Sequence, residues 1–317
     1  MRFINTLKEN DHIAQVVYLV RSKATQTSKT GKPYHSLTLQ DKTGTVDGKI
    51  WDTNSGGIED FEAGDFVAID ADVTFFNVGL QLNIRRLRKA GAGEYSEGDY
   101  FPTSVYDIDK MYEQLLQYIT KVKNASVRKL LESFYVDDEE VVKRFKMHSA
   151  AKTVHHSFIG GLLEHTLGVT RLCYFYLKCY PKLNGDLLLA AAMFHDIGKL
   201  REISDFPGND YTDDGQLIGH IVLGCEMVSE RIRQIPDFPA KTAAELRHCI
   251  LAHHGNLEYG SPKKPALMEA MALYLADTTD ARMELFTEQF NATQSMDWLG
   301  FNKYVDANIR KTTPIPE

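Results

Sequence analysis

The stretch Phe194-His195-Asp196-Ile197-Gly198-Lys199 sets an imidazole beside a carboxylate at the end of the apolar run Leu187–Phe194. Adjacent polar side chains inside a helical core need partners, and a bound cation satisfies both. Lys199 follows His195 by four residues, so on a continuous helix the two share a face. Metal ligands with an ammonium one turn away would handle phosphate. His-Asp alone also occurs by chance in ordinary helices, so the other histidines decide its weight. Nine of the 11 lie between His148 and His254. His165 shares a helical face with Leu162, Val169 and Leu172. His220 opens a second helical pattern, and His253-His254 end a third just before Gly255, a natural C-cap. Asp277 follows the apolar stretch Met271–Ala276, where an unpaired carboxylate is unfavourable. One buried histidine is more often structural than a ligand, but this ordered set on successive helices reads as a metal site. Its mixed nitrogen and oxygen donors suit Mn²⁺, Fe²⁺, Co²⁺ or Zn²⁺, and the lack of thiolate argues against structural zinc. Successive helical residues point about 100° apart. One of His253 and His254 is therefore expected to bind metal directly, with the other serving its surroundings or the substrate.

Two kinds of element must position these residues. Residues 1–90 read as five short strands: His12–Arg21, Tyr34–Gln40, Val46–Trp51, Phe66–Phe76 and Leu80–Leu87. Asp41-Lys42-Thr43-Gly44 and Asn77-Val78-Gly79 supply turn chemistry. Five strands with a Gly-containing turn after the second fit a five-stranded Greek-key barrel of OB type. Tyr18, Tyr34, Trp51, Phe75 and Phe76 are candidate stacking platforms, although small barrels also need large inward side chains. Lys23, Lys29, Lys32, Arg85 and Arg86 are candidate phosphate contacts, and the polar Thr25–Pro33 loop is the better placed for binding. Gly91–Pro102, rich in Gly, Ser and acidic residues, reads as a linker. Helical periodicity then runs through Val105–Val122, Ser126–Tyr135, Glu139–Met147, Gly161–Tyr180, Asp186–Lys199, Gly219–Gln234, Ala240–His254 and Ala266–Phe286. The fold class expected is thus multidomain: an OB-type barrel (1–90), connecting helices (91–147), an all-α domain (148–286) and a tail (287–317).

The composition is that of an ordinary globular chain: 317 residues, 43% apolar, 25% charged. A formal charge of −7 excludes a protein that coats nucleic acid through net charge. The barrel half, with 12 basic and 11 acidic residues, is nearly neutral, so groove-confined contact stays open. No apolar run reaches the ~20 residues of a membrane span, and the N-terminus does not open as a signal peptide. The four cysteines lack a Cys-x-x-Cys pair and are expected as buried free thiols in a reducing cytoplasm. Trp298, Phe301 and Tyr304 in the tail are expected to pack.

The order His165, His195-Asp196, Asp277 resembles the HD superfamily of metal-dependent phosphohydrolases. The additional His220, His253 and His254 resemble its branch holding two metals, with Asp196 bridging them. The paired histidines are followed by Gly255-Asn-Leu-Glu-Tyr-Gly-Ser-Pro262 rather than Gly-Tyr-Pro, which disfavours the cyclic-dinucleotide phosphodiesterase branch. An N-terminal OB-fold, connecting helices and the motifs His155-His156-x-x-x-Gly-Gly-Leu-Leu-Glu-His165-Thr, Phe-His-Asp-Ile-Gly-Lys and His-His-Gly-x-Leu-Glu-x-Gly-Ser-Pro resemble the YhaM-type 3′–5′ exoribonucleases over nearly the whole chain. That resemblance implies a cytoplasmic enzyme using two divalent ions, Mn²⁺ above all, to release nucleoside 5′-monophosphates from single-stranded RNA. Single-stranded DNA as substrate and self-association stay open. Asp196 would bridge the metals, Lys199 would meet the scissile phosphate, and His156 and His254 would orient it or protonate the leaving oxygen. Two rivals stand beside this reading: an HD nucleotidase acting on free nucleotides, and a non-catalytic nucleic-acid-binding protein.

Overall fold

The computed structural model describes residues 2–28, 31–76, 79–152, 156–206, 208–291 and 297–313. The chain divides into two compact units, Met1–Thr103 and Ser104–Glu317.

The first unit is a closed barrel of β1 (His12–Thr27), β2 (Pro33–Asp41), β3 (Gly44–Ile50), β4 (Phe66–Phe76) and β5 (Gly79–Lys89), in the order β1-β2-β3-β5-β4. β1 pairs antiparallel with both β2 and β4, and β3 closes on β5 in parallel. This is the OB arrangement. Alternation along the strands sends Ile13, Val20, Leu37, Leu39, Val67, Ile69 and Leu82 inward to one core. The β2–β3 turn is set by Asp41, whose carboxylate accepts from the Thr43 amide and hydroxyl and from the Ile4 amide. β1 and β2 run further than their hydrophobic patterns, so Thr25–Thr27 and Pro33, at the two ends of the expected Thr25–Pro33 loop, are paired strand. The segment after β5 packs on the barrel rather than linking freely. Tyr95 stacks on Phe66 at 3.9 Å between centroids, and the Tyr100 carbonyl accepts from Gln40. Gly and acidic composition reads as a linker, but the aromatics spaced through it bury apolar surface.

The second unit contains α1 (Ile108–Ile119), α2 (Ala125–Tyr135), α3 (Glu139–Met147), α4 (Gly161–Cys179), α5 (Gly185–Phe194), α6 (Lys199–Glu202), α7 (Asp213–Leu217), α8 (His220–Gln234), α9 (Ala240–Leu251) and α10 (Met268–Asn291), then a hairpin of β6 (Trp298–Asn302) and β7 (Ala307–Arg310). Helix starts follow local chemistry: Asp107, Asn124, Asp138, Asn184 and Thr212 each accept from an amide in their first turn. α5 is buried on every side over Leu187–Phe194 and forms the axis of the core. The expected helix Asp186–Lys199 is two helices, because 195–198 form a turn. Gly198 sits against the His220 carbonyl and the Gly224 amide, leaving no room for a Cβ. That close approach docks the turn on α8 and breaks the shared helical face expected for His195 and Lys199. Trp298, Phe301 and Tyr304 are 63%, 64% and 54% exposed, so they do not pack as expected. Cys173 and Cys249 are buried free thiols, whereas Cys225 is half-buried and Cys179 exposed.

Candidate active site

The turn after α5 points His195 and Asp196 into the middle of the helical unit, where α4 brings His165, α8 His220, the end of α9 His253 and His254, and α10 Asp277. Asp196 divides these residues into two sets. Its Oδ2 lies 3.6 Å from His165 Nε2 and 3.5 Å from His195 Nε2. Asp277 Oδ1 is 3.2 Å from the same His165 nitrogen, and the His165 and His195 Nε2 atoms are 3.2 Å apart. The other oxygen, Oδ1, lies 3.4 Å from His220 Nε2 and 3.7 Å from His253 Nε2. His220, His253 and His254 form one candidate metal group, and His165, His195 and Asp277 another.

These spacings suit metals. Around an ion with bonds of about 2.0–2.2 Å, neighbouring ligand atoms stand roughly 3.0–3.6 Å apart. Asp196 Oδ1, His220 Nε2 and His253 Nε2 are buried with no hydrogen-bond partner, an arrangement too costly to leave uncompensated. The histidine tautomers agree. His195 donates Nδ1–H to the Ala192 carbonyl, His253 to that of Ile250 and His254 to that of Tyr259, at 2.7–2.8 Å. His165 Nδ1 meets Asp280 at 2.7 Å and His220 Nδ1 meets Glu202 at 2.9 Å. With Nδ1 occupied by an acceptor, each imidazole turns its Nε2 to the centre as a donor atom. The residues present fit divalent cations.

The electrostatics point the same way. Burial lowers the pKa of His195 and, with His254 and His195 alongside, takes His253 well below the imidazole range. Both are neutral and ready to ligate. Burial opposes ionisation of Asp196, but Lys199 and the surrounding histidines outweigh it and hold the carboxyl well below its usual range. Burial would also lower His165, yet Asp277 and Asp280 overcome this and carry it up to about 10. In the metal-free protein, a proton on His165 therefore stands in for cationic charge.

All seven expected ligands converge. The 100° argument between His253 and His254 does not apply, because α9 ends at Leu251 and both rings, on the turn beyond it, lie beside His220. Lys199 is half-buried with its ammonium 3.3 Å from Asp196 Oδ2 and donating to the Ala150 carbonyl. His156 stands behind His165: its Nε2 is 3.4 Å from Asp280 Oδ2, the oxygen that also meets His165. Asp280 and Glu202 were not singled out from the sequence. Asp280 falls one turn after Asp277, and that helical spacing was the available signal. Glu202 also takes the His220 amide at the start of α8.

In the barrel unit, a groove of about 1170 Å³ is lined by Tyr34, Trp51, Phe75 and Phe76, with Lys49 beside them. Tyr34 and Trp51 lie 4.8 Å apart between centroids. Tyr18 is core, its hydroxyl bonded to the Arg2 carbonyl. The expected basic contacts are not gathered there. Lys23 is turned onto the Phe61 carbonyl and ring, Arg85 is paired with Asp72, and Arg86 lies with Arg85 in a separate concavity. Lys32 is exposed beside Pro33, and Lys29 lies outside the described residues.

Comparison with known proteins matches the HD domain family to residues 162–282. The 3′–5′ exoribonuclease YhaM of Listeria innocua is 32% identical over 284 residues, covering 88% of each chain. That of Bacillus subtilis is 31% identical over 268 residues, covering 84% of each. This chain belongs to the YhaM exoribonuclease family. A solved structure, the second OB-fold domain of replication protein A from Methanococcus maripaludis, aligns with 28% of this chain and 92% of its own at 22% identity and a TM-score of 0.23. Membership of the YhaM family, with its HD domain, brings dependence on divalent metal, and the two histidine–carboxylate sets are where this chain would hold it. No helix among the described residues is long and apolar enough to cross a membrane.

Proposed function

We propose that this chain is a metal-dependent 3′–5′ exoribonuclease that hydrolyses single-stranded RNA to nucleoside 5′-monophosphates. The observation that carries the reading is Asp196, which offers one oxygen to each of two imidazole sets within 3.4–3.7 Å. His165, His195, Asp196 and Asp277 would hold one ion, and Asp196, His220, His253 and His254 the other, a mixed donor set that suits Mn²⁺, Fe²⁺, Co²⁺ or Zn²⁺. Divalent ions bound there supply the Lewis acidity that opens phosphodiester hydrolysis at neutral pH. The chain's own residues do the rest. Asp280 and Glu202 keep the ligand imidazoles in register, and burial keeps His195 and His253 unprotonated. Lys199 has two of its three N–H bonds engaged, leaving one for a phosphate oxygen beside Asp196. His254 completes the second set, while His156 supports Asp280. In the barrel, Tyr34, Trp51, Phe75 and Phe76 stack bases without regard to sequence.

A 5′-labelled RNA oligonucleotide incubated with Mn²⁺ tests this in a cytoplasmic-type reducing buffer. A descending ladder with mononucleotide release is expected, and a DNA strand in the same assay measures sugar preference. Turnover of free nucleotides without a ladder would favour the nucleotidase, and a gel shift without cleavage the binding protein.

A further inference from the structure

Beside the metal ligands, the helical unit contains a recess of about 370 Å³ between α1, α4 and α10, within the size range of small-molecule sites. Its position is set by the helices that carry the metal ligands. Glu284 follows Asp277 by seven residues on α10, about 10 Å along the axis. Asp280, between them, both lines the recess and meets His165. Gly168 makes this possible, since a Cβ there would collide with the Asp280 carboxylate.

The lining is sorted by chemistry. Met111 and Leu167 give it apolar surface and are buried, whereas Tyr106 is an exposed aromatic and Arg171 an exposed cation. Glu164 accepts from Ser104 through Oε2, which leaves acceptor capacity on its carboxylate. Glu284 makes no hydrogen bond or ion pair among the described residues. A recess with apolar floor, aromatic edge and two available carboxylates accepts hydroxyl donors, and because its four carboxylates, Asp107, Glu164, Asp280 and Glu284, outnumber its two cations, Lys110 and Arg171, it disfavours phosphate. Along an RNA strand every nucleoside but one carries phosphate on its 3′ side. The exception is the last, which ends in a free 2′,3′-diol.

We propose that this recess holds the 3′-terminal ribonucleoside of the RNA, with Glu164 and Glu284 accepting from its 2′- and 3′-hydroxyls. The assignment rests on the exoribonuclease reading and adds the means by which a strand end is told from a strand interior. A 3′-phosphate would bring a dianion against two carboxylates. A 2′-deoxy terminus would forfeit one hydrogen bond to a charged group, worth roughly 10–100-fold in kcat/KM.

The test compares RNA ending in 3′-hydroxyl, 3′-phosphate or a single 2′-deoxynucleotide, using the full chain loaded with Mn²⁺. The wild type should prefer the 3′-hydroxyl over the 3′-phosphate by roughly 10²-fold or more. Glu284→Gln, which removes the charge and keeps the shape, should narrow that preference by about tenfold or more, and Glu164→Gln with Glu284→Gln should narrow it further. Bound Mn²⁺ and hydrolysis of bis(4-nitrophenyl) phosphate, which has no nucleoside, should stay at wild-type level in Glu284→Gln. RNA degraded with no preference among termini, or full preference kept by Glu284→Gln, overturns the recess assignment and leaves the exoribonuclease standing. Hydrolysis of the nitrophenyl diester with no RNA cleaved at any terminus overturns the exoribonuclease reading itself.

Discussion

Asp196 is the residue on which the proposed chemistry turns, since its two oxygens face different imidazole sets. Asp196→Ala should abolish hydrolysis while circular dichroism stays native; more than a tenth of wild-type turnover at saturating Mn²⁺ would contradict the bridging role. His165 gives a prediction with a definite sign. Its folded pKa, about 10, is raised above the ordinary imidazole value of 6.5. In the metal-free protein its stabilising contribution is therefore complete below about pH 6.5 and lost as pH rises through about 10. Metal must displace that proton, so Mn²⁺ affinity should rise with pH, with about one proton released per chain at pH 7.5 on this account. Calorimetry in buffers of different ionisation enthalpy measures the release, and a value of zero would remove the proton from His165. For Lys199 the expected result of Lys199→Met is a fall in kcat of roughly 10²-fold with bound metal retained. Unchanged turnover at full occupancy would leave it as a counter-ion to Asp196 and nothing more.

The elements around the site depend on two contacts that tolerate no side chain. At Gly161 a Cβ would strike the His156 carbonyl, and at Gly198 it would strike the His220 carbonyl and the Gly224 amide. Backbone cannot yield as a flexible side chain does. Gly198→Ala should destabilise the protein by about 1–3 kcal/mol and weaken metal binding at the His220 set, because the turn carrying Asp196 is pushed off α8. Denaturant midpoints and metal titration read both effects. The longer helices and the five barrel strands were visible locally, because helical and period-2 patterns act over a few residues; α6, α7 and the β6–β7 hairpin were not. Strand and helix ends were less so: β1 extends to Thr27 through pairing with β2, which its polar residues do not announce.

At the scale of the molecule, the two units divide the labour proposed for them. Each has its own core, so a chain beginning at Ser104 should fold. It should keep most activity on dinucleotides and lose it disproportionately on long RNA, since remote binding no longer contributes. Equal losses on both lengths would assign the barrel to stability instead. Taken alone, the residues determined that histidines and aspartates at positions 165, 195, 196, 220, 253, 254 and 277 belong together. Buried polar side chains need partners, and their spacing and motif order are properties of the chain. Only the tertiary structure decided how they are shared out. Which oxygen of Asp196 faces which imidazole, that both His253 and His254 enter the site, and that Asp280 and Glu202 hold His165 and His220 depend on how separate helices cross. The same holds for the barrel, whose aromatic residues could be counted in the sequence but not sorted. Tyr18 became core and Tyr34, Trp51, Phe75 and Phe76 became one surface, because closure of the strands decides which side of the pleat is inside.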